Sequence, residues 1–132
     1  MNTCVQVVVC IVLAVSVMGG PVLADSHGSD QPTFTKGKFA VPISLEDVTT
    51  DWTARGYSTP AVRHYAHGWS RGEHTHAEHL IITVVAGRME FIIAGQRFVV
   101  EPGDELFYPA HMIHSARNLY DGTSQTLSGH KW

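Results

Sequence analysis

Short apolar runs recur between turn residues along the second half of the chain. The runs are "LIITVV", "MEFII", "RFVV" and "ELFYPA", and they are separated by "AGR", "AGQ" and "EPGD". Val, Ile, Thr, Phe and Tyr dominate the runs, and these residue types favour strands. Turn residues interrupt each run before the roughly ten to twelve residues that a helix needs. The pattern therefore predicts an all-β fold, an antiparallel sandwich or barrel.

The region between Phe34 and Thr59 has a weaker pattern. The segment "FAVPISLEDV" predicts a short strand, and "TTDWTARGYSTP" predicts an irregular wrap with turns around Gly56 and Pro60. Only "ISLEDVTTDW" allows a helical turn. With 132 residues, 44% of them hydrophobic and 16% charged, the chain suits one compact domain.

The first 24 residues predict a secretory signal peptide. The apolar block "CVQVVVCIVLAVSVMGG" precedes "PVLA", which places Val22 and Ala24 at the −3 and −1 positions of a cleavage site. No Lys or Arg precedes the block, and the alternative is an uncleaved membrane anchor. The block is shorter than the roughly 20 residues that cross a bilayer. We therefore expect cleavage, a secreted or periplasmic protein, and no membrane attachment afterwards.

Cleavage has two further consequences. Cys4 and Cys10 both lie in the predicted signal peptide, so the mature chain would contain no thiol. Its formal net charge stays at −3, which argues against a nucleic-acid partner because such partners require a clustered basic face. Residues 25–33 begin with a polar stretch and predict a flexible leader. The barrel domain is expected over residues 34–132.

The stretch "EHTHAEHL", from Glu73 to Leu80, contains three histidines. Residues two apart on a strand point to the same side, so His74 and His76 are expected to face one way. On a helix they would not be neighbours. Two imidazoles on the inner face of a small barrel are costly unless their polar edges are satisfied, and a divalent metal satisfies them.

The histidines belong to two spaced motifs that resemble those of the cupin superfamily. The first motif is Gly, five residues, His-x-His, three or four residues, Glu, six residues, Gly; the second is Gly, five residues, Pro-x-Gly, two residues, His, three residues, Asn. The matching residues are Gly68, His74, His76 and Gly87 in the first motif, and Gly103, Pro109, His114 and Asn118 in the second. Two positions depart from the pattern, because Leu80 replaces the glutamate and His111 replaces the second glycine of the second motif.

The resemblance implies a single-domain cupin, a jelly-roll β-barrel with "ARNLYDGTSQTLSGHKW" as its closing strand. It implies that His74, His76 and His114 point inward and hold one divalent metal, and that the protein pairs as a homodimer. The glutamate replaced by Leu80 is usually the fourth ligand in the family. Three neutral imidazoles with open positions fit Fe, Mn, Ni, Cu or Zn, and spacing does not choose among them.

Several alternatives stay open at the predicted site. Glu78 has the strand parity of the two histidines and is a candidate fourth ligand, whereas His79 would need a bulge to contribute. A plain three-histidine site is the third possibility, and a barrel that has lost its metal is the fourth. His64, His67 and His130 lack motif spacing and are predicted at the surface or rim. His111, at a turn position, is predicted to be exposed. Alternatively, it could donate a hydrogen bond to a metal ligand at the barrel mouth.

Two arginines and several aromatic residues are further candidates for the mouth and the interior of the barrel. Arg71 and Arg117 either meet an anionic ligand at the mouth or are solvated. The inward aromatic residues are expected to be mainly core; they are Trp69, Phe91, Phe98, Phe107 and Tyr108.

The sequence favours an exported metal-binding cupin that acts on a small molecule. A Lewis acid with open positions would support oxygenase, isomerase or lyase chemistry. No catalytic residue is assigned, and Glu78 and His79 are the only candidate bases near the motif. The alternative function is a non-catalytic small-molecule-binding or structural cupin that has lost its metal.

Overall fold

A computed structural model describes residues 31–132 of the chain. The predicted signal peptide and most of the predicted leader lie outside the described residues. Both assignments therefore stay predictions, as does the boundary between leader and barrel domain. The first described strand begins at Thr33.

Two antiparallel sheets face each other, and one short helix packs outside them. One sheet has the strand order β1-β7-β4-β9-β2 and the other has the order β3-β8-β5-β6. The elements are β1 (Thr33–Thr35), α1 (Leu45–Ala54), β2 (Ala61–Tyr65), β3 (Ser70–His74), β4 (His79–Ala86), β5 (Met89–Ile93), β6 (Gln96–Val100), β7 (Glu105–Tyr108), β8 (His114–Asn118) and β9 (Ser124–Lys131). This arrangement confirms the predicted all-β class. Among the described residues, no helix is both long and apolar enough to cross a membrane.

The four predicted apolar strands correspond to β4, β5, β6 and β7. The predicted closing segment contains the end of β8 and the whole of β9, so it forms more than one strand. The short strand predicted in "FAVPISLEDV" is wrong, because α1 begins at Leu45 within that segment. The Ser44 side chain caps the helix by accepting a hydrogen bond from the Asp47 backbone N–H at 3.2 Å. Val48 and Trp52, four residues apart, bury one face of the helix.

The first hydrophobic core lies between the two sheets. Along each strand, every second side chain points into this core, toward the facing sheet. Phe91, Phe98 and Tyr108 lie in this core as predicted, and Trp69 packs against it half-buried. The other core residues are Ile82, Val84, Met89, Ile93, Val100 and Leu106.

A second core lies between α1 and the outer face of the five-stranded sheet. Trp52 is fully buried there against Ile81 and Phe107. The prediction that Phe107 points into the barrel is therefore wrong, because its side chain faces the helix. The parity of β7 explains this result, since Tyr108, the next residue, takes the inward position.

The buried carboxylate of Glu105 fixes the helix to the sheet beneath it by accepting hydrogen bonds from two side chains. The Trp52 indole N–H donates to Glu105 Oε2 at 2.9 Å, and Arg55 donates to both carboxylate oxygens of Glu105 at 2.9 Å each. Such bidentate charge-assisted contacts set geometry as well as energy. They hold β7 in place, and β7 ends at Tyr108 beside the site described below.

The structure explains why the first motif has glycine at Gly87. Its φ is +90°, a left-handed conformation that side chains other than glycine rarely adopt. A Cβ at this position would also overlap Ser124 on the neighbouring strand β9. Ser124 in turn donates to Asn118 Oδ1 at 2.6 Å. The Asn118 amide donates to the backbone carbonyls of Tyr65 and Ala66, so this motif residue connects the end of β8 to the end of β2.

Candidate metal centre

Three histidine side chains meet at one end of the space between the sheets. His74 on β3 lies directly opposite His114 on β8 in the antiparallel register, so their side chains are neighbours. Their ring centroids are 4.2 Å apart, and the His76 ring lies 4.9 Å from His74 and 5.1 Å from His114. One ring nitrogen of each residue lies within 4.8 Å of the other two. The three residues predicted from the motif spacing are therefore brought together.

The position of His76 differs from the expectation that it shares a strand with His74. Strand β3 ends at His74, and His76 lies in the connection to β4. The backbone N–H of His111 donates to the His76 carbonyl at 2.7 Å and fixes this connection. His111 itself is exposed and has a φ of +63°, the left-handed conformation that explains why the family motif has glycine at this position. Its backbone, and not its imidazole, supports the site.

Backbone carbonyls determine the tautomers of two imidazoles. His74 Nδ1 lies 2.7 Å from the Gly72 carbonyl oxygen, and His114 Nδ1 lies 2.9 Å from the Met112 carbonyl oxygen. A carbonyl oxygen only accepts, so each Nδ1 carries the proton. Each Nε2 then keeps an unshared electron pair. This is the arrangement that metal-binding histidines commonly show.

The surroundings of His76 and His114 favour the neutral form of both imidazoles. Burial lowers the pKa of the His114 and His76 imidazoles, and the neighbouring His74 and the Arg71 guanidinium lower them further. Neutral imidazole is the form that binds a divalent ion. The donor set therefore fits a transition metal, since three imidazole nitrogens lie within 4.8 Å of one another and imidazole is a preferred ligand of such ions.

The structure does not bring a fourth protein ligand into the cluster. Within residues 31–132, the group of potential ligands contains the three histidines alone. Leu80 lines the site at the position of the family glutamate. Glu78 Oε2 instead lies 3.5 Å from His130 Nε2. His79 Nδ1 accepts the Ala110 backbone N–H at 3.0 Å, which occupies it structurally.

A cavity of about 800 Å³ opens beside the three histidines. Tyr108 borders it with its ring 4.8 Å from that of His114, and burial raises the pKa of the Tyr108 phenol, which stays protonated. The rings of Tyr65 and Trp69 pack at a tilt of 52° along another wall, with their centroids 4.4 Å apart. The remaining side of the cavity is apolar, with Leu80, Ile82, Phe91 and Ala116. The cavity is thus large enough for a small organic molecule.

The two arginines proposed for the mouth have different surroundings. Arg71 lines the cavity, whereas Arg117 lies on the outer face of the four-stranded sheet and donates to Glu90 at 2.7 Å. Arg117 is therefore neither a mouth residue nor freely solvated. Three further histidines are exposed as predicted, and two of them, His64 and His130, also border the cavity; the third is His67.

Sequence reasoning missed Arg63 and Tyr65, which reach the cavity from strand β2. The segment "AVRHY" has no strong apolar alternation, and its residues are exposed apart from Tyr65, which is half-buried. The available signal was that residues two apart share a side of a strand, which places Arg63 and Tyr65 together. Assigning that side required the pairing of β2 with β9.

Comparison with known proteins defines the class. The family described as "Cupin domain" matches residues 61–128, a little over half of the chain. The chain therefore belongs to the cupin family, and its two sheets form the single-domain jelly-roll barrel that the motifs predicted. No curated protein matches it.

Three solved structures are similar to the chain. A DMSP lyase, DddQ from Ruegeria pomeroyi DSS-3, is 28% identical over 54% of this chain and 36% of its own, with a TM-score of 0.50. A predicted oxalate decarboxylase from Thermotoga maritima is 22% identical over 61% and 71% of the two chains, with a TM-score of 0.51. A conserved protein of unknown function from Streptococcus pyogenes is 22% identical over 52% and 59%, with a TM-score of 0.49. The chain spans less than two thirds of the first and third of these proteins.

Proposed function

We propose that the protein is an exported cupin that holds one divalent transition metal with His74, His76 and His114 and acts on a small molecule. The observation that carries this proposal is the convergence of three ring nitrogens within 4.8 Å. Two of the imidazoles have their other nitrogen bound to a backbone carbonyl. Preorganisation of this kind is characteristic of sites that bind metal.

The metal would supply Lewis acidity, as Fe, Mn, Ni, Cu or Zn all do. The protein's own residues perform the other tasks. Leu80 and Phe91 provide an apolar wall that limits water beside the cluster, and Trp69 packs on Tyr65 to close one side. The protonated Tyr108 hydroxyl offers a hydrogen bond to whatever binds in the cavity.

For the reaction, we favour lyase chemistry among the oxygenase, isomerase and lyase possibilities. The support is the Ruegeria lyase, whose identity to this chain is 28%. A second candidate is a non-catalytic binding protein. Its support is the missing carboxylate: Leu80 stands in the usual glutamate position, and Glu78 faces His130 at the rim. Either candidate is compatible with the predicted homodimer.

Elemental analysis of the purified protein tests the metal on which the enzyme candidate depends. We expect about one equivalent of a transition metal per chain, which is lost in the double variant His74→Ala/His114→Ala. The matched control is His64→Ala/His67→Ala, which removes two exposed histidines and should retain the metal. A folded wild-type protein without metal after reconstitution would favour the binding function.

Export is tested at the chain's N-terminus. Mass spectrometry of the protein recovered from culture medium or periplasm should give a chain that begins at Asp25. A chain that keeps residues 1–24 and sediments with membranes would support the anchor instead.

A further inference from the structure

The cavity beside the three histidines has an unbalanced set of charged side chains. Among the described residues, none of those that line it is Asp or Glu. Two arginines line it, Arg63 and Arg71, and within residues 31–132 neither guanidinium has an ion-pair partner. The other arginines with buried partners behave differently, since Arg55 binds Glu105 and Arg97 binds Glu90.

Arg71 faces the cavity because of an irregularity in strand β3. Arg71 pairs with Ala116, and His74 pairs with His114, so three steps along β3 match two steps along β8. One extra residue in a strand is a β-bulge, and bulges next to binding sites redirect side chains. Without it, Arg71 and His74 would point to opposite sides. With it, Arg71 and His74 both line the cavity, and the charge of Arg71 is close enough to lower the pKa of His76 and His114. Arg71 also borders a second, more open pocket that contains Glu90, although the two side chains form no ion pair.

Glu78, whose charge acts on His76, does not form an ion pair with either cavity arginine. Glu78 sits at the rim, where its Oε2 lies 3.5 Å from His130 Nε2. Leu80 replaces the carboxylate that would otherwise lie within the cluster. A divalent ion held by three neutral imidazoles would therefore keep its full charge, with the Arg71 guanidinium added to it. Charges in a half-buried site attract an opposite charge strongly, because water screens them less.

We propose that the ligand of this cavity is a small carboxylate, bound through its negative group by Arg71, with the Tyr108 hydroxyl as a second donor. The inference rests on the proposed metal site. Arg71 acts as a specificity-determining residue. The Tyr108 hydroxyl is available for this purpose, since it has no hydrogen-bond partner within the described residues. Arg63, on the opposite wall, adds a longer-range attraction.

The test compares glycolate with glycolamide, its neutral amide, by isothermal titration into the Co²⁺-loaded full chain. We expect glycolate to bind and glycolamide to bind at least about tenfold more weakly, since one charge-assisted contact is worth roughly a 10- to 100-fold change in affinity. Arg71→Gln should reduce glycolate affinity by the same factor, and Arg71→Lys should recover part of it. The Co²⁺ content is measured in every sample.

The control is Arg88→Gln, which makes the same charge change at an exposed residue outside the cavity and should leave glycolate affinity unchanged. Equal affinity for glycolate and glycolamide, or an Arg71→Gln variant that binds glycolate normally, would overturn the carboxylate proposal while the metal stays bound. A folded wild-type protein that takes up no Co²⁺ would overturn the metal site and this inference together. The metal measurement therefore separates the two failures.

Discussion

The two faces of the five-stranded sheet are packed in different ways. On the outer face, α1 packs against the central strands β7, β4 and β9, and Trp52 and Ile81 have no exposed surface. On the inner face, the same strands pack tightly at one end, but at the other end Leu80 and Tyr108 border an open cavity of about 800 Å³. Packing on the outer face stabilises β4 and β7, and on the inner face the same two strands form part of the cavity wall. Stability and ligand binding are thereby carried by opposite sides of the same strands.

Among substitutions that separate the two faces, Trp52→Ala is expected to change the free energy of unfolding most. Removing the fully buried indole leaves a cavity under α1 and takes one of three hydrogen bonds from Glu105, so the free energy of unfolding should fall by about 3–5 kcal/mol. Chemical denaturation measures the loss. The metal content of the folded variant should stay that of the wild type.

The control for this substitution is Trp132→Ala, because Trp132 is 84% exposed and should change stability by less than about 0.5 kcal/mol. Loss of metal from folded Trp52→Ala protein would show that the two faces are not separable.

A smaller effect is expected from Glu90, which joins β5, β6 and β8 on the outer face of the other sheet. Arg117 and Arg97 donate to its carboxylate at 2.7 and 2.6 Å. We expect Glu90→Gln to lower the free energy of unfolding by about 1–2 kcal/mol at pH 7, since both guanidinium groups are half exposed and screened.

The contribution of Glu90 should depend on pH. The hydrogen bond from Arg117, followed by that from Arg97, holds the pKa of Glu90 below its ordinary value of 4.5, although burial opposes this shift. A group with a lowered folded-state pKa stabilises the protein above its ordinary pKa, and the stabilisation is lost as the pH falls through the folded value. The difference between wild type and Glu90→Gln should therefore shrink below pH 4.5. A difference that is constant down to pH 3 would contradict this account.

The smallest expected effect concerns Leu80, which lines the cavity on the inner face. Leu80→Glu restores the carboxylate of the family motif beside the three histidines, and we expect affinity for Co²⁺ to rise roughly tenfold, or about 1.4 kcal/mol. Glycolate affinity should fall, because the added negative charge offsets the metal and Arg71. The isosteric control Leu80→Gln adds a polar group without charge and should produce neither change. If both variants behave alike, charge is not the property that Leu80 determines.

Much of the barrel could be predicted from the sequence because its strands are locally defined. Strands β4 to β7 are short runs of strand-favouring residues, and turns that contain glycine separate them, so the composition of the runs and the positions of the turns agree. Helix α1 was missed as an element because it buries only Val48 and Trp52, and its threonines favour strands equally well. Its stability comes from Glu105 and Phe107, which are distant in sequence.

The candidate site also has residues that the sequence predicts and residues that it does not. Motif spacing brought His74, His76 and His114 together, since each lies at a position that the family's topology fixes. The inward direction of Arg71 could not be predicted, because it depends on a register shift between β3 and β8 that leaves no mark in either segment. Glu78 matched the parity argument, yet the chain leaves the strand at His74 and parity no longer applies.

The most direct test of the central claim is a crystal structure of the reconstituted protein with anomalous diffraction recorded at the metal's absorption edge. We predict one strong anomalous peak about 2.0–2.2 Å from the Nε2 atoms of His74, His76 and His114. A peak bound elsewhere, for instance between His130 and Glu78, or three ordered imidazoles with no peak between them, would contradict the claim.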